Sequence, residues 1–153
     1  MRALIQRVSE ASVQIDGSIY ASIEKGLLVF IGFEPTDIQE DINRLTKKII
    51  QLRIFADENG LMNKSLVETG GNTLIVSQFT LFSDTRKGNR PSFIQASPPT
   101  MAVPLYEAFI LAFKQAIGEE KVKTGVFGAD MAISLINNGP VTLWLDTKQV
   151  DKK

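Results

Sequence analysis

Three polar side chains interrupt an apolar segment near the middle of the chain, VSQFTLF (residues 76–82). In a strand, alternation would send Gln78 and Thr80 to one face and Phe79 to the other. A buried polar group costs about 1–3 kcal/mol unless it has a hydrogen-bond partner. Ser77, Gln78 and Thr80 therefore bond either to neighbouring backbone or to a ligand. In the second case, hydroxyls and backbone N–H groups at a strand end would face a substrate carbonyl and stabilise an oxyanion without a histidine.

A second unusual segment, INNGPVT (136–142), lies between two strand-like runs, AISLI and VTLWL. Asn and Gly adopt the positive φ angles of tight turns, and Pro has a fixed φ. Local sequence alone therefore favours a simple turn at Gly139-Pro140. The alternative is a Gly-Pro pair that takes part in chemistry.

The loop RKGNRP (86–91) carries three cations, Arg86, Lys87 and Arg90, within five residues. Such clusters are usually solvated loops, but a few Lys and Arg side chains also suffice to bind the phosphates of an RNA end. Both interpretations stay open. The acidic groups at 34–41 and 119–120 lie at a predicted helix start and in a loop. Carboxylates at a helix start favour the helix dipole, so we expect neither a metal site nor a cofactor.

Composition excludes several kinds of chemistry. The 153-residue chain contains no histidine and no cysteine, which eliminates Ser-His-Asp triads, thiolate nucleophiles and the commonest zinc sites. Its 17 basic and 17 acidic residues cancel, so any RNA contact must be local. No apolar run is long enough to span a membrane, and the N-terminus lacks the pattern of a signal peptide. We expect a soluble, cytoplasmic protein with a single domain over residues 1–153.

The elements that would position these residues form an α+β pattern. Apolar alternation and turn signals predict strands over 2–15, 18–24 and 26–32, with a hairpin at Asp16-Gly17. Helical spacing predicts a helix from Thr36, as N-cap, to about Arg53, and a second over 98–117. Short strands are expected around 54–55 and 65–67, a strong strand at 73–82, and further strands after Gly118.

Four segments, in this order and at these separations, resemble the D-aminoacyl-tRNA deacylase family, also called D-tyrosyl-tRNA deacylases. They are VSQFTLFSD (76–84), RKGNRPSF (86–93), GVFGADM (125–131) and NGPVTLWLDT (138–147). The likeness starts at the opening MRALIQRVSEASV and covers essentially the whole chain. It implies a homodimer of α+β subunits, each with a mostly antiparallel, barrel-like sheet and two main helices. It also implies hydrolysis of D-aminoacyl and glycyl esters at the tRNA 3′ end, without a cofactor, DNA or a membrane.

The resemblance assigns roles to particular residues. The SQFT segment would supply the catalytic groups around the scissile ester, namely Ser77, Gln78, Phe79 and Thr80. Gly139 and Pro140 would be joined by a cis peptide and inserted across the dimer interface into the partner's site, facing the substrate Cα. This implication opposes the simple turn that local sequence favours.

Three further residues complete the implied substrate-binding set. Phe127 and Met131 would line the pocket of the terminal adenosine, and Arg7 would orient the Gly-Pro segment. Asn138 departs from the Asp expected there, so no charge is available at that position.

The implied chemistry agrees with the composition. The ester is already activated, and the neighbouring 2′-OH of the terminal ribose can assist, so the protein need only orient and stabilise. A variant mechanism makes Thr80 a covalent nucleophile, although no base lies near it in the sequence. A different class of function, a non-catalytic dimeric module that binds RNA 3′ ends, is also compatible with these features.

Overall fold

The computed structural model describes residues 1–149, so residues 150–153 of the predicted single domain lie outside the described part. Its strands are β1 (Arg2–Ile15), β2 (Ser18–Ile23), β3 (Gly26–Gly32), β4 (Phe55–Ala56), β5 (Met62–Lys64), β6 (Asn72–Ser77), β7 (Val122–Thr124) and β8 (Ala132–Asp146). Its α-helices are α1 (Gln39–Gln51), α2 (Leu66–Thr69) and α3 (Pro99–Ile117). Among residues 1–149, no helix is long and apolar enough to cross a membrane.

Strand β1 organises the main sheet because it pairs with three other strands. Its first half is antiparallel to β3 and its second half to β2, while β8 runs antiparallel to it over nearly its whole length. Strands β6 and β7 extend the sheet beyond β3 in parallel. The prediction of an α+β, mostly antiparallel, barrel-like fold with two main helices is confirmed, with α2 as a short addition. The homodimer stays a prediction.

The sheet is buried on both faces along β3, as its continuous apolar run predicts. Leu27, Val29 and Ile31 face the layer formed by α1 and α3. Leu28 faces the other side, where Val13 of β1 and Leu74 of β6 form a second apolar cluster. The main sheet therefore packs against one apolar core on each of its faces.

The turn between β1 and β2 matches its sequence signal. Asp16 has a φ of 51° and Gly17 a φ of 76°, as a two-residue hairpin of twisted strands requires. The helix layer is held by aromatic side chains of α3, since Phe109 and Phe113 are fully buried with ring centroids 4.9 Å apart.

Two local predictions are wrong. Helix α1 begins three residues after Thr36: its N-cap is Ile38, whose backbone N–H donates to Asp41, and the Thr36 hydroxyl instead accepts from Lys148. The predicted strand at 65–67 is the start of α2, because Ser65 and Glu68 form a reciprocal capping box that satisfies the first N–H groups of a helix.

We expect Gly26→Ala to destabilise the fold strongly, because a Cβ at this position would overlap backbone atoms of Asn72 on the adjacent strand β6. Overpacking of this kind costs about 1–3 kcal/mol or more. Urea denaturation measures the loss. Gly139→Ala is the matched control, since a Cβ there meets no atom within 4 Å. Equal midpoints for the two variants would contradict the tight β3–β6 contact.

Candidate active site

A cavity of about 340 Å³ lies where the parallel strands β3, β6 and β7 end. The carboxyl ends of parallel strands are a common place for ligands, because the chain turns away there and leaves a crevice. The cavity is lined by residues from the ends of β3 and β6, the start of α3, the loop after β7 and the start of β8. They are Ile31, Gly32, Phe33, Val76, Ser77, Gln78, Phe79, Ser97, Ala102, Phe127, Gly128, Ala129, Asp130, Met131 and Ile133.

Five of the nine predicted site residues meet in this cavity, namely Ser77, Gln78, Phe79, Phe127 and Met131. The predicted alternation of the SQFT segment is wrong, however. Strand β6 ends at Ser77, and a 3-10 turn begins at Phe79 and continues to Phe82. The last bond of this segment to β3 is made by the Gln78 N–H, which donates to the Ile31 carbonyl at 2.7 Å. After Gln78 the chain leaves the sheet and enters the 3-10 turn. Three consecutive residues therefore line one cavity.

The turn also orients backbone donors. The first N–H groups of a 3-10 turn, here those of Phe79 and Thr80, have no partner within it. Thr80 is not among the lining residues, and its hydroxyl accepts a hydrogen bond from the Gln78 amide. Of the predicted catalytic segment, Ser77, Gln78 and Phe79 therefore lie at the cavity, and Thr80 lies behind them in the chain.

Phe127 is supported from behind by Tyr106 of α3. The two rings lie 5.8 Å apart, and the Tyr106 hydroxyl donates to the Ile75 carbonyl at 3.0 Å. Burial raises the pKa of Tyr106 above its ordinary value, so the hydroxyl remains a donor at assay pH. Met131 packs on Gly125, where a Cβ would lie 2.5 Å from the sulfur. The sequence analysis places Tyr106 only within the predicted second helix and does not indicate this contact.

The cavity offers little acid–base chemistry of its own. Of its lining residues only Asp130 has a carboxyl side chain, and that residue is exposed. Ser97 lies in the wall, is 8% exposed, and its hydroxyl has no hydrogen-bond partner among residues 1–149. No sequence pattern marks this serine, since it lies in a polar connection before α3.

The other predicted site residues form a separate group on β1 and β8. Gln6 pairs with Thr142 and Val8 with Asn137, so the single residue Arg7 lies opposite the four residues 138–141 of β8. Strand β8 therefore runs on through this segment as a bulge, and the simple turn that local sequence favours is wrong. The Gly139–Pro140 peptide is cis, as predicted.

Arg7 holds the bulge in place. Its guanidinium donates to the Asn138 carbonyl at 3.2 Å, the Asn138 side-chain oxygen at 3.0 Å and the Gly139 carbonyl at 3.1 Å, and also to the Ile54 carbonyl. The neutral Asn138 amide oxygen thus serves as an acceptor without a charge. The Asn137 amide bonds the Arg7 and Val141 carbonyls and closes the base of the bulge, a role that sequence reasoning missed.

The two groups are not adjacent within one chain. Gly139, Pro140 and Arg7 are absent from the cavity lining, and Gly139 lies up to about 20 Å along β8 from Ile133 at a rise of ~3.3 Å per residue. Gly139 and Pro140 are both exposed.

The acidic residues between β3 and α1 bind cations of the chain. The α-ammonium of Met1 donates to Asp37 at 2.5 Å, and Lys148 contacts Glu34 at 2.7 Å. Within residues 1–149, no group of three metal-binding side chains is placed to hold an ion. The expectation of no metal and no cofactor stays a prediction.

This chain is similar to known proteins over nearly its full length. The family model described as D-Tyr-tRNA(Tyr) deacylase matches residues 4–146. The chain belongs to this deacylase family. It is 57% identical to a D-aminoacyl-tRNA deacylase of Bacteroides fragilis (strain YCH46) over 148 residues, which cover 97% of this chain and 98% of the relative. A D-aminoacyl-tRNA deacylase of Flavobacterium psychrophilum is 55% identical over the same shares. The resemblance drawn from the motifs is thereby confirmed, and with it the class of enzyme.

Solved structures agree with the fold of the deacylase family. The structure titled c-Myc DNA Unwinding Element Binding Protein has a TM-score of 0.91 and 37% identity, and covers 95% of this chain and 98% of its own. A probable eukaryotic D-amino acid tRNA deacylase has a TM-score of 0.83 over 94% of this chain and 97% of its own, at 20% identity, and supports the fold alone.

The unpartnered Ser97 hydroxyl leads to a stability prediction. Ser97→Ala removes a buried hydroxyl that has no partner, so we expect the free energy of unfolding to stay unchanged or to rise by up to about 1 kcal/mol. Tyr106→Phe, which removes a buried hydroxyl with a partner, should lose about 0.5–1.5 kcal/mol. Urea denaturation of both variants provides the comparison. A larger loss for Ser97→Ala than for Tyr106→Phe would mean that Ser97 has a partner in solution.

Proposed function

We propose that this protein hydrolyses the ester of D-aminoacyl-tRNA, and of glycyl-tRNA, at a site shared between two copies of the chain. The cavity at the ends of β3, β6 and β7 would hold the terminal adenosine and the ester. The observation that carries the proposal is that this cavity is lined by SQF and by the phenylalanine and methionine of GVFGADM in a chain of the deacylase family.

The backbone N–H of Phe79 suits ester hydrolysis, because Phe79 lines the cavity at the start of a 3-10 turn. Water attacks the carbonyl carbon, the carbonyl oxygen becomes an oxyanion, and the bond to the ribose oxygen then breaks as that oxygen takes up a proton. The N–H group of Phe79 would bind the oxyanion, and one such donor contributes about 10²–10³ in rate. Phe127 and Met131 would pack against the adenine.

The substrate itself would assist the proton transfers. Asp130 is the only titratable residue of the lining, and it is exposed, so no buried protein base faces the ester. The 2′-OH of the terminal ribose lies next to the reacting bond and can activate water or assist the leaving oxygen. This supports the RNA-assisted mechanism over one in which Thr80 is the nucleophile, since the Thr80 hydroxyl accepts from an amide and contacts no base in the described chain.

A second copy would bring the Gly-Pro pair to the cavity. Gly139 and Pro140 do not line the cavity of their own chain, and they lie in an exposed bulge that Arg7 holds through hydrogen bonds. On the same strand, Ile136 and Trp144 expose 56% and 47% of their surfaces, an apolar area that a second copy would cover. A two-fold interface would make two such sites per dimer.

The Gly-Pro pair would select chirality by exclusion. With Gly139 of the partner subunit facing the substrate Cα, an L side chain would collide with the pair, whereas a D side chain would point away and glycine has none. The Gly139 carbonyl already accepts from Arg7 and keeps a second lone pair for the substrate amino group. D-substrates should then differ little from one another, because no D side chain is recognised.

We expect D-tyrosyl-, D-aspartyl- and glycyl-tRNA to be hydrolysed and L-aminoacyl-tRNA to survive. Deacylation time courses at equal enzyme concentration measure this. Gly139→Ala should fold normally, since its Cβ would have no atom of residues 1–149 within 4 Å apart from its sequence neighbours, yet should slow hydrolysis of D-substrates by about 10²-fold because the Cβ displaces the ester. Comparable rates for L- and D-substrates would remove the Gly139-Pro140 filter.

Thr80→Ala should keep its activity within about tenfold of the wild type, because the backbone donor at Phe79 remains. A substrate whose terminal ribose lacks the 2′-OH should react at least about 10²-fold more slowly, the lower limit of general acid–base assistance. Single-turnover rates on the two substrates separate these effects. Complete loss of activity in folded Thr80→Ala would favour the nucleophile mechanism instead.

The alternative is a non-catalytic dimeric module that binds RNA 3′ ends. One observation favours this module: the solved structure at 37% identity is named for DNA binding and not for hydrolysis. Release of free D-amino acid from D-aminoacyl-tRNA distinguishes the two functions directly. Tight binding of uncharged tRNA without any release would establish the module.

A further inference from the structure

The loop of residues 85–91, called the cationic loop below, is not used by the proposed chemistry. Arg86, Lys87 and Arg90 are all exposed on it, although the whole chain has a net charge of zero. A depression of about 510 Å³ lies at its base, lined by Asp84, Arg86, Lys87 and Ser92. A chain of zero net charge thus places three cations on one loop, two of which, Arg86 and Lys87, line the depression.

The cationic loop is fixed at its base and held close to the cavity. The backbones of Asp84 and Ser92 exchange two hydrogen bonds, at 2.8 and 2.9 Å, which close the loop. The next residue, Phe93, packs its ring edge-on against Phe79, with centroids 5.1 Å apart. Because Phe79 lines the cavity, the loop projects from the cavity's rim.

The three cations are not equivalent. Arg86 forms two hydrogen bonds with Asp84, at 2.9 and 2.6 Å, so its charge is compensated and its position fixed. The same guanidinium lowers the pKa of Asp84 to about 2, which keeps this pair charged at any assay pH. Lys87 and Arg90 form no ion pair with any residue between 1 and 149, and so two cations are left for an external anion.

The rim also carries an exposed aromatic surface. Phe79 leaves 57% of its side chain accessible although it lies at the edge of the cavity. Exposed aromatic rings beside cations are typical of surfaces that bind single-stranded nucleic acid, because bases stack on the rings and phosphates meet the cations. An acidic peptide would use the cations but would not explain the ring.

We propose that the cationic loop binds the phosphates of the tRNA acceptor strand that precede the terminal adenosine, through Lys87 and Arg90. This rests on the proposed function, in which that adenosine occupies the cavity. From its closed base the loop can extend about 10–14 Å, at ~3.4 Å per residue, which matches three or four nucleotides of a strand with a similar rise.

The test compares two substrates, D-tyrosyl-tRNA and D-tyrosyl-adenosine, the second of which has the ester but no phosphates. For Lys87→Ala/Arg90→Ala, we expect KM for the tRNA to rise about twentyfold at 0.1 M salt, because two single-strand phosphate contacts contribute a salt exponent of about 1.4. The slope of log KM against log salt should fall by the same about 1.4. kcat, and kcat/KM for the adenosine ester, should not change.

Two control variants separate charge from shape. Lys47→Ala/Lys48→Ala removes two exposed cations from α1, outside the cavity and the loop, and should leave KM unchanged. Lys87→Arg/Arg90→Lys keeps both charges and should restore the wild-type salt slope. Equal losses on both substrates, or no loss on either, would overturn the proposal.

Filter binding of uncharged tRNA gives a readout that does not depend on hydrolysis. If the wild type hydrolyses neither ester, the proposed function fails, but weaker binding of uncharged tRNA by Lys87→Ala/Arg90→Ala would still support the loop. A tRNA that lacks its four 3′-terminal nucleotides serves as competitor. If this shortened tRNA competes as well as the intact tRNA, the cations do not bind the phosphates that precede the terminal adenosine, and the acceptor-strand assignment is contradicted.

Discussion

The pairing of β1 on both of its edges is the constraint on which the rest of the structure depends. One edge is paired first with β3 and then with β2, while the other is paired with β8. A strand saturated on both edges cannot slip by one residue without exchanging its buried and exposed faces. The pairing therefore fixes where β8 begins, beside the ends of β3 and β6, and also where it bulges, opposite Arg7.

This arrangement gives a histidine-free chain two rigid sites of limited chemistry. At the cavity, the structure presents backbone groups, three aromatic rings, a thioether and short polar side chains, with one exposed carboxylate. At the bulge, a guanidinium fixes two carbonyls. Neither site can move a proton efficiently by itself, but both hold dipoles in fixed directions. Such preorganised groups stabilise developing charge because they need no reorientation during the reaction.

Sequence reasoning predicted the elements whose local signals agree with the tertiary structure. Strand β3 and the hairpin at Asp16-Gly17 match their predictions, and α3 begins within one residue of its prediction. Each has a strong local cause, namely a continuous apolar run, positive φ residues, or a proline at the helix start.

The errors arise where a contact distant in sequence decides the conformation. The SQFT segment was predicted as strand throughout, but β3 ends beside it, and the Gln78 N–H bonds to Ile31 before the chain turns. The local sequence of the INNGPVT segment predicts a turn, but β1 continues past this segment and keeps β8 in the sheet. Only the resemblance to the deacylase family, which is information about the whole chain, indicated a special role for this Gly-Pro pair.

Two glycines show that the same residue type meets different constraints. At Gly26 the backbone of Asn72 leaves no room for a Cβ, so the fold itself requires glycine. At Gly139 no atom of residues 1–149, apart from its two sequence neighbours, lies within 4 Å of the place a Cβ would take, and its φ is not in the left-handed region, so the described chain has room for a Cβ there. A packing requirement for glycine at position 139 would therefore come from a second copy of the chain or from a substrate. At the proposed shared site, the exposed bulge would meet both.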